Sequence, residues 1–245
     1  MKNQLKLLVG TAFLVLNIYS TQAQSYKDKP FLDSDWTLIY EKEGITVSEH
    51  KPKNRDLVVF KAEGVLKAPL RPILSNLREV EKSTEWTPKL KEKSTLLDVS
   101  DVEAITYNDN DLPWPVKDRD MVLTNKLYLD KEEAYLIVET HSVDFPSMPA
   151  RPDRVRATID YGTMAFRPLQ EDRTWVQLII LVDPKGAIPK WLVNILQRSM
   201  PFDFLKALEK RSQDIRPEVK PGIQKLVDGL NEILKKKKDQ KTTAM

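Results

Sequence analysis

The sequence predicts an α+β fold: a strongly bent antiparallel sheet wrapped around one long terminal helix. Three observations predict it. Stretches of alternating apolar and polar residues recur from Trp36 to Asp183 at periods of about ten to fifteen residues, which suits hairpins rather than crossover helices. A helical period breaks into this series once, after Pro69. Beyond Asp183-Pro184-Lys185-Gly186 the period changes to that of a helix. Strands clustered in sequence, with helices set apart from them, are the α+β pattern.

The chain opens with a segment expected to lie outside the fold. Lys2 and Lys6 precede a short apolar run from Leu7 to Ile18, and Thr21-Gln22-Ala23 places small residues where a leader is cut. This is the layout of a secretory signal peptide over residues 1–23. The run is about a dozen residues, short of the roughly 20 that a span requires. The mature chain of about 222 residues then has room for one sizeable core, in a body over residues 24–213.

Strands are predicted first at Trp36–Tyr40 and Ile45–Glu49, a hairpin around Glu43-Gly44. From Leu57 to Leu66, Val58, Phe60, Ala62, Gly64 and Leu66 take one face, while Lys61 and Glu63 take the other. Proline at position 69 then starts a helix on Leu70, Ile73, Leu74, Leu77 and Val80. Six more strands follow, at about 94–99, 102–108, 120–130, 134–144, 154–167 and 173–183. The last helix of the body carries Trp191, Leu192, Ile195, Leu196, Phe202, Leu205 and Leu208 and ends near Arg211, with a kink expected at Pro201.

Residues 214–245 form a Pro- and Gly-containing linker and a short basic helix striped by Ile223, Leu226, Val227, Leu230, Ile233 and Leu234. Lys235 to Lys238 follow, where the helix dipole favours cations. Such a helix either docks on the body with a solvated lysine end or lies on a membrane surface.

Composition removes several chemistries. The chain has no cysteine and two histidines, His50 and His141, neither at a metal-ligand spacing, so no metal is expected. Its seven glycines form no Gly-x-Gly, so no backbone loop cradles a phosphate and no cofactor is expected. The net charge of +3 has its one dense cluster at the extreme C-terminus, unlike the basic face of a nucleic-acid binder. Glu139 and His141 share a strand face, either as an acid–base pair or as a solvent-facing ion pair. The most informative stretch is Pro113-Trp114-Pro115-Val116-Lys117-Asp118-Arg119-Asp120. Its prolines dictate a rigid loop ahead of a strand. Arg119 between two aspartates is either a salt-bridge node or a polar anchor at the rim of a cavity.

Several stretches, in order, resemble the StAR-related lipid-transfer (START) domains in their secreted bacterial form. These are Trp36 with Glu43-Gly44-Ile45-Thr46-Val47, Glu85-Trp86, Pro113-Trp114-Pro115 with Arg119-Asp120, Val155-Arg156-Ala157, and Asp183 through Trp191 to Asn194, within a span from Asp33 to Ser212. The resemblance implies a helix-grip fold, in which a curved antiparallel sheet encloses a hydrophobic tunnel and the long C-terminal helix closes it. Members of the family typically hold one lipid or sterol-like molecule there.

A bent sheet of this size leaves an interior wider than its own side chains fill. Trp86, Trp114, Met121, Met164, Trp191, Ile195, Met200 and Phe202 are candidate wall residues, each either wall or ordinary core. Arg119 and Arg156 are the polar candidates. A buried cation needs a partner, and for Arg119 the candidates are Asp109, Asp111 and Asp120. Paired in that way, Arg119 either orients a lipid head group or ties the Trp114 loop to the sheet. Asp183 is expected to cap the turn into the last helix.

The expectation is therefore a non-catalytic carrier of a lipid or sterol-like molecule, exported to the periplasm or the extracellular space. Its basic tail helix is a candidate for transient membrane-surface contact. The alternatives are a helix-grip enzyme, cyclase- or hydrolase-like, acting on a hydrophobic substrate, and an interaction module with a collapsed tunnel.

Overall fold

A computed structural model of the protein describes residues 30–32, 34–53, 56–187 and 199–243. The expected signal peptide, with Trp191 and Ile195, lies outside the described residues.

The N-terminal hairpin forms as the sequence reads. Strand β1 (Thr37–Lys42) turns through Glu43 and Gly44, whose φ angles of 51° and 75° are both left-handed, into β2 (Ile45–His50). Strand β3 (Val59–Leu66) follows, then helix α1 (Leu70–Arg78) and a short 3-10 helix (Val80–Glu85). Pro69 stands at the N-cap of α1, where its carbonyl accepts the Ile73 N–H at 3.3 Å. The longer strands come next: β4 (Leu90–Ser100), β5 (Glu103–Asn110), β6 (Arg119–Asp130), β7 (Tyr135–Ser142), β8 (Val155–Arg156), β9 (Thr158–Gln170) and β10 (Arg173–Asp183). The expected single strand at 154–167 is two. Val155 and Arg156 pair parallel with Arg119 and Asp120 at the mouth of β6, and the antiparallel ladder starts only at Thr158.

One sheet holds all ten strands in the order β1-β2-β3-β10-β9-β7-β6-β5-β4, with β8 beside β6. From β4 to β9 it is a meander of neighbours, whereas β3 pairs with β10 across most of the chain. Helices α2 (Met200–Asp214) and α3 (Pro221–Thr243) follow the strands. The stretch before Ser199, against which a kink at Pro201 was expected, lies outside the described residues. Pro201 lies in the first turn of α2, where its missing N–H removes no helical bond.

The main core gathers on the inner face of the sheet: Val47, Ala62, Leu66, Leu136, Phe166 and Val176 pack against Ile73 and Leu74 of α1 and Leu205 and Leu208 of α2. Polar contacts fix α2 in place. The Glu209 carboxylate accepts the Lys67 N–H at 3.2 Å, and Arg211 donates to Asn76 Oδ1 at 3.2 Å and Glu85 Oε2 at 2.9 Å. The outer face is covered locally, where Phe31, Leu32 and Trp36 pack over Val59, Ile179 and Leu181.

Helix α3 docks on the body. Ile223, Val227 and Leu230 are buried in the main core, each worth about 1.5–3 kcal/mol by area. Arg71 meets Gln224 and Asp228 at 3.0 Å each, and Asp101 accepts the Gly222 N–H at 2.8 Å. The helix runs to Thr243, longer than its apolar stripe, because lysine is a good helix former and suits the C-terminal end. Among the described residues, no helix is long and apolar enough to cross a membrane.

Candidate ligand-binding cavity

Strand periodicity builds a hollow of about 370 Å³ between the inner face of the sheet and the helices. Every second residue of β5 reaches it (Ala104, Thr106, Asn108 and Asn110), as do Arg119, Met121, Leu123, Asn125 and Leu127 of β6. Leu178, Ile180 and Val182 of β10 continue the wall, and Leu74, Leu77 and Phe204 close it from the helices. Phe60, Met164 and Trp86 complete the apolar surface. The volume lies within the roughly 300–1,000 Å³ typical of small-molecule sites.

The β4–β7 side of this wall is polar. Thr140 Oγ1 donates to Asn125 Oδ1 at 3.0 Å, Asn125 Nδ2 donates to Thr106 Oγ1 at 3.1 Å, and Thr106 Oγ1 is 3.1 Å from Asn108 Oδ1. Cross-strand register explains this alignment, since Asn125 sits opposite Thr140 and Asn108 opposite Met121 and Lys93. Each side chain in the chain of bonds orients the next.

Arg119 forms another part of the wall, 5% exposed. Its partners are backbone carbonyls: Nε donates to Pro184 at 3.1 Å, one terminal nitrogen donates to Lys185 at 3.0 Å, and the other to Lys117. Burial holds its guanidinium below the usual arginine range, and the charge of Asp118 offsets this in part. The expected carboxylate partners are engaged elsewhere. Asp109 is bonded by Arg154 Nε at 2.9 and 3.0 Å, Asp120 accepts two bonds of 3.0 Å from Arg156, and Asp111 meets Lys91 at 3.5 Å. The reason is strand parity. Asp109 and Asp120 are register partners and share a face, while Arg119 faces the opposite way, with Asn110. Arg119 is thus a bolt between the Trp114 loop, β6 and the Pro184 turn.

The arginines and aspartates on the other face fasten the rim. Burial pushes the Asp118 carboxyl up, but the Leu112 N–H, at 2.9 Å, and the Lys91 ammonium outweigh it, so the group ends below its ordinary range. The bond that Arg154 donates to Asp109 raises the arginine above its usual range.

Of the residues read from the sequence, Trp86, Arg119, Met121, Met164 and Met200 line the hollow. Three do not. Trp114 is 91% exposed, because its flanking prolines hold it in a projecting loop. Arg156 is drawn to Asp120 and the carbonyls of Met148 and Pro149 on the rim. Phe202 points from α2 toward the hairpin, with its ring 6.2 Å from Tyr40 and under the Lys42 ammonium, while Phe204 takes the wall. Trp191 and Ile195 lie outside the described residues. Asp183 caps its turn as expected, accepting the Lys185 N–H at 2.9 Å. Glu139 and His141 alternate with Val138 and Thr140, which line the hollow, and so face away from it.

Sequence reasoning missed the polar stripe and Lys93. The signal for the stripe was present in β5, where Ala104, Thr106, Asn108 and Asn110 share one parity. A face that carries amides and hydroxyls where a core would carry aliphatics marks a lined space. Lys93 was hidden by bulges in β4 at 90/92, 95/97 and 98/100, which break the parity of that strand.

A model of the START domain family matches residues 21–218 of the chain. The phosphatidylcholine transfer protein of Mus musculus is 26% identical over 212 residues, spanning 84% of this chain and 98% of that protein. An uncharacterized protein of Pseudomonas aeruginosa is 25% identical over 182 residues, which are 74% of this chain and 89% of its own. The crystal structure of a STAR-related lipid transfer protein fragment from Xanthomonas axonopodis superposes with a TM-score of 0.64 at 29% identity, covering 73% of this chain and 98% of that one.

Proposed function

Because the chain belongs to the START domain family, we propose that it binds one lipid or similarly hydrophobic small molecule in the cavity and carries it without chemical change. The hollow supports this most directly: about 370 Å³ lined by Leu74, Leu77, Leu123, Leu178 and Ile180, with polar groups along one side. Burying an acyl chain there contributes about 0.8 kcal/mol per methylene, sufficient for binding without covalent chemistry. Relatives named for phosphatidylcholine transfer and STAR-related lipid transfer support lipid as the ligand class.

Export is part of the reading. Lys2, Lys6 and the apolar run after them favour a secreted bacterial carrier, working in the periplasm or outside the cell. Contact with a membrane would be transient, through Lys235, Lys236 and Lys238 at the exposed end of α3.

The test is native mass spectrometry of protein from its own host, followed by lipid extraction. A single hydrophobic ligand is expected on the wild type. Met164→Trp, which fills the hollow from β9, is expected to lose it while keeping its circular dichroism spectrum. Full copurification with the variant would place the lipid elsewhere.

A further inference from the structure

Lys93 projects from β4 into the wall of the cavity, opposite Asn108 in the ladder. Among the described residues it has neither a hydrogen bond nor an ion pair. The charge that bears on it is a second cation, Arg78, which also lines the space. Arg78 is already engaged, with Asp98 and the carbonyls of Asp101 at 3.2 Å and Ser100 at 3.0 Å. The acidic group in the described wall, Asp101, accepts the Gly222 N–H at 2.8 Å.

The polar stripe points the same way. Its bonds run from Thr140 through Asn125 and Thr106 to the side-chain oxygen of Asn108. The amide NH₂ of Asn108 is left over, beside Lys93, with no acceptor among the described residues. An ammonium and an amide donor therefore stand together at the end of the polar stripe, and no anion among the described residues answers them. An ammonium desolvated without a counter-ion is costly. Burial, helped by Arg78, pushes Lys93 down to about 8, so at neutral pH it still carries its charge.

We propose that Lys93, assisted by the Asn108 amide, receives the anionic oxygen of an amphiphilic ligand, a carboxylate or phosphate at the head of an alkyl chain. This rests on the lipid-binding reading above and specifies the ligand's head group. The chain of such a ligand would lie along Leu123, Leu178 and Ile180. The head group would supply the counter-ion that is missing among the described residues, through charge-assisted bonds that a neutral lipid cannot form.

The experiment uses delipidated full chain, titrated at pH 7 with palmitic acid, methyl palmitate and lysophosphatidic acid, in the wild type, Lys93→Met and Lys93→Arg. The wild type is expected to bind at least one of the two anions about tenfold or more tighter than the ester. Preference for the acid identifies a carboxylate receptor, and preference for the lysolipid a phosphate receptor. Lys93→Met should erase the preference, and Lys93→Arg should keep it. Equal binding of ester and anions by the wild type overturns the inference, as does a preference that survives in Lys93→Met. If the ester alone binds, only the head-group inference falls. If none of the three binds, the lipid-binding reading falls with it. The wild-type comparison decides the matter even if a variant fails to fold.

Discussion

Asp120 has no exposed surface, and Arg156 answers its charge with two bonds of 3.0 Å. Removing one partner of such a pair leaves the other uncompensated, at a cost of about 3–5 kcal/mol when both are buried. Arg156 retains some exposure, so Asp120→Ala should lose about 3 kcal/mol in urea unfolding, with β8 freed from β6. Lys93 makes a second prediction. Its pKa is about 8 in the fold against an ordinary 10.5, so between those values the unfolded chain binds more protons. Stability then rises with pH across that window, by at most about 1.4 kcal/mol for each pH unit crossed. The wild type should gain roughly 1–3 kcal/mol on Lys93→Met between pH 8 and 10.5, read as the difference between two melting series. At this scale the sequence is legible where parity can be followed, as for Met121 and Met164. It misleads where neighbours in sequence are not neighbours in space. Asp118 and Asp120 flank Arg119, but adjacent residues on a strand point to opposite faces.

Helix α3 is where local propensity and tertiary fit disagree most. Its stripe of Ile223, Val227 and Leu230 was legible, and these are the residues that dock. Docking brings Gly222 against Asp101, so that a Cβ there would stand 2.7 Å from the Asp101 Cβ. Propensity alone ranks Ala about 1 kcal/mol above Gly within a helix. The contact opposes this, and it endangers the 2.8 Å bond from the Gly222 N–H to Asp101. Gly222→Ala should therefore lower the melting temperature instead of raising it, whereas Lys236→Ala, at an exposed position, should leave it unchanged. Edges were the least legible feature of the elements. Bulges extend β4 beyond the clean alternation at 94–99, and Ala157 divides an expected strand because Val155 and Arg156 pair with β6 instead.

For the whole molecule, the change of hydrophobic period was enough to fix the class, since strands in series followed by helices leave few alternatives to a bent sheet. The hollow was less legible. Whether facing side chains meet or leave space depends on the distance between layers, which periodicity does not encode. A molecule with such a space should be sensitive to its occupant. At one hundred times Kd a ligand adds about 2.7 kcal/mol to stability. Protein purified from its host should accordingly melt above the same protein stripped of lipid, and re-addition of the extracted lipid should restore the difference in calorimetry. The strand order carries a consequence in time. Strand β3 docks against β10, so Val59 waits for Leu181 and Leu66 for Thr174, more than a hundred residues later in synthesis. Until those residues are made, the growing polypeptide presents the bare edge of a three-stranded ribbon, open to pairing with strangers. Folding of this protein is thus gated by its last strand, and a holdase that shields the early hairpin should raise the yield of native molecules.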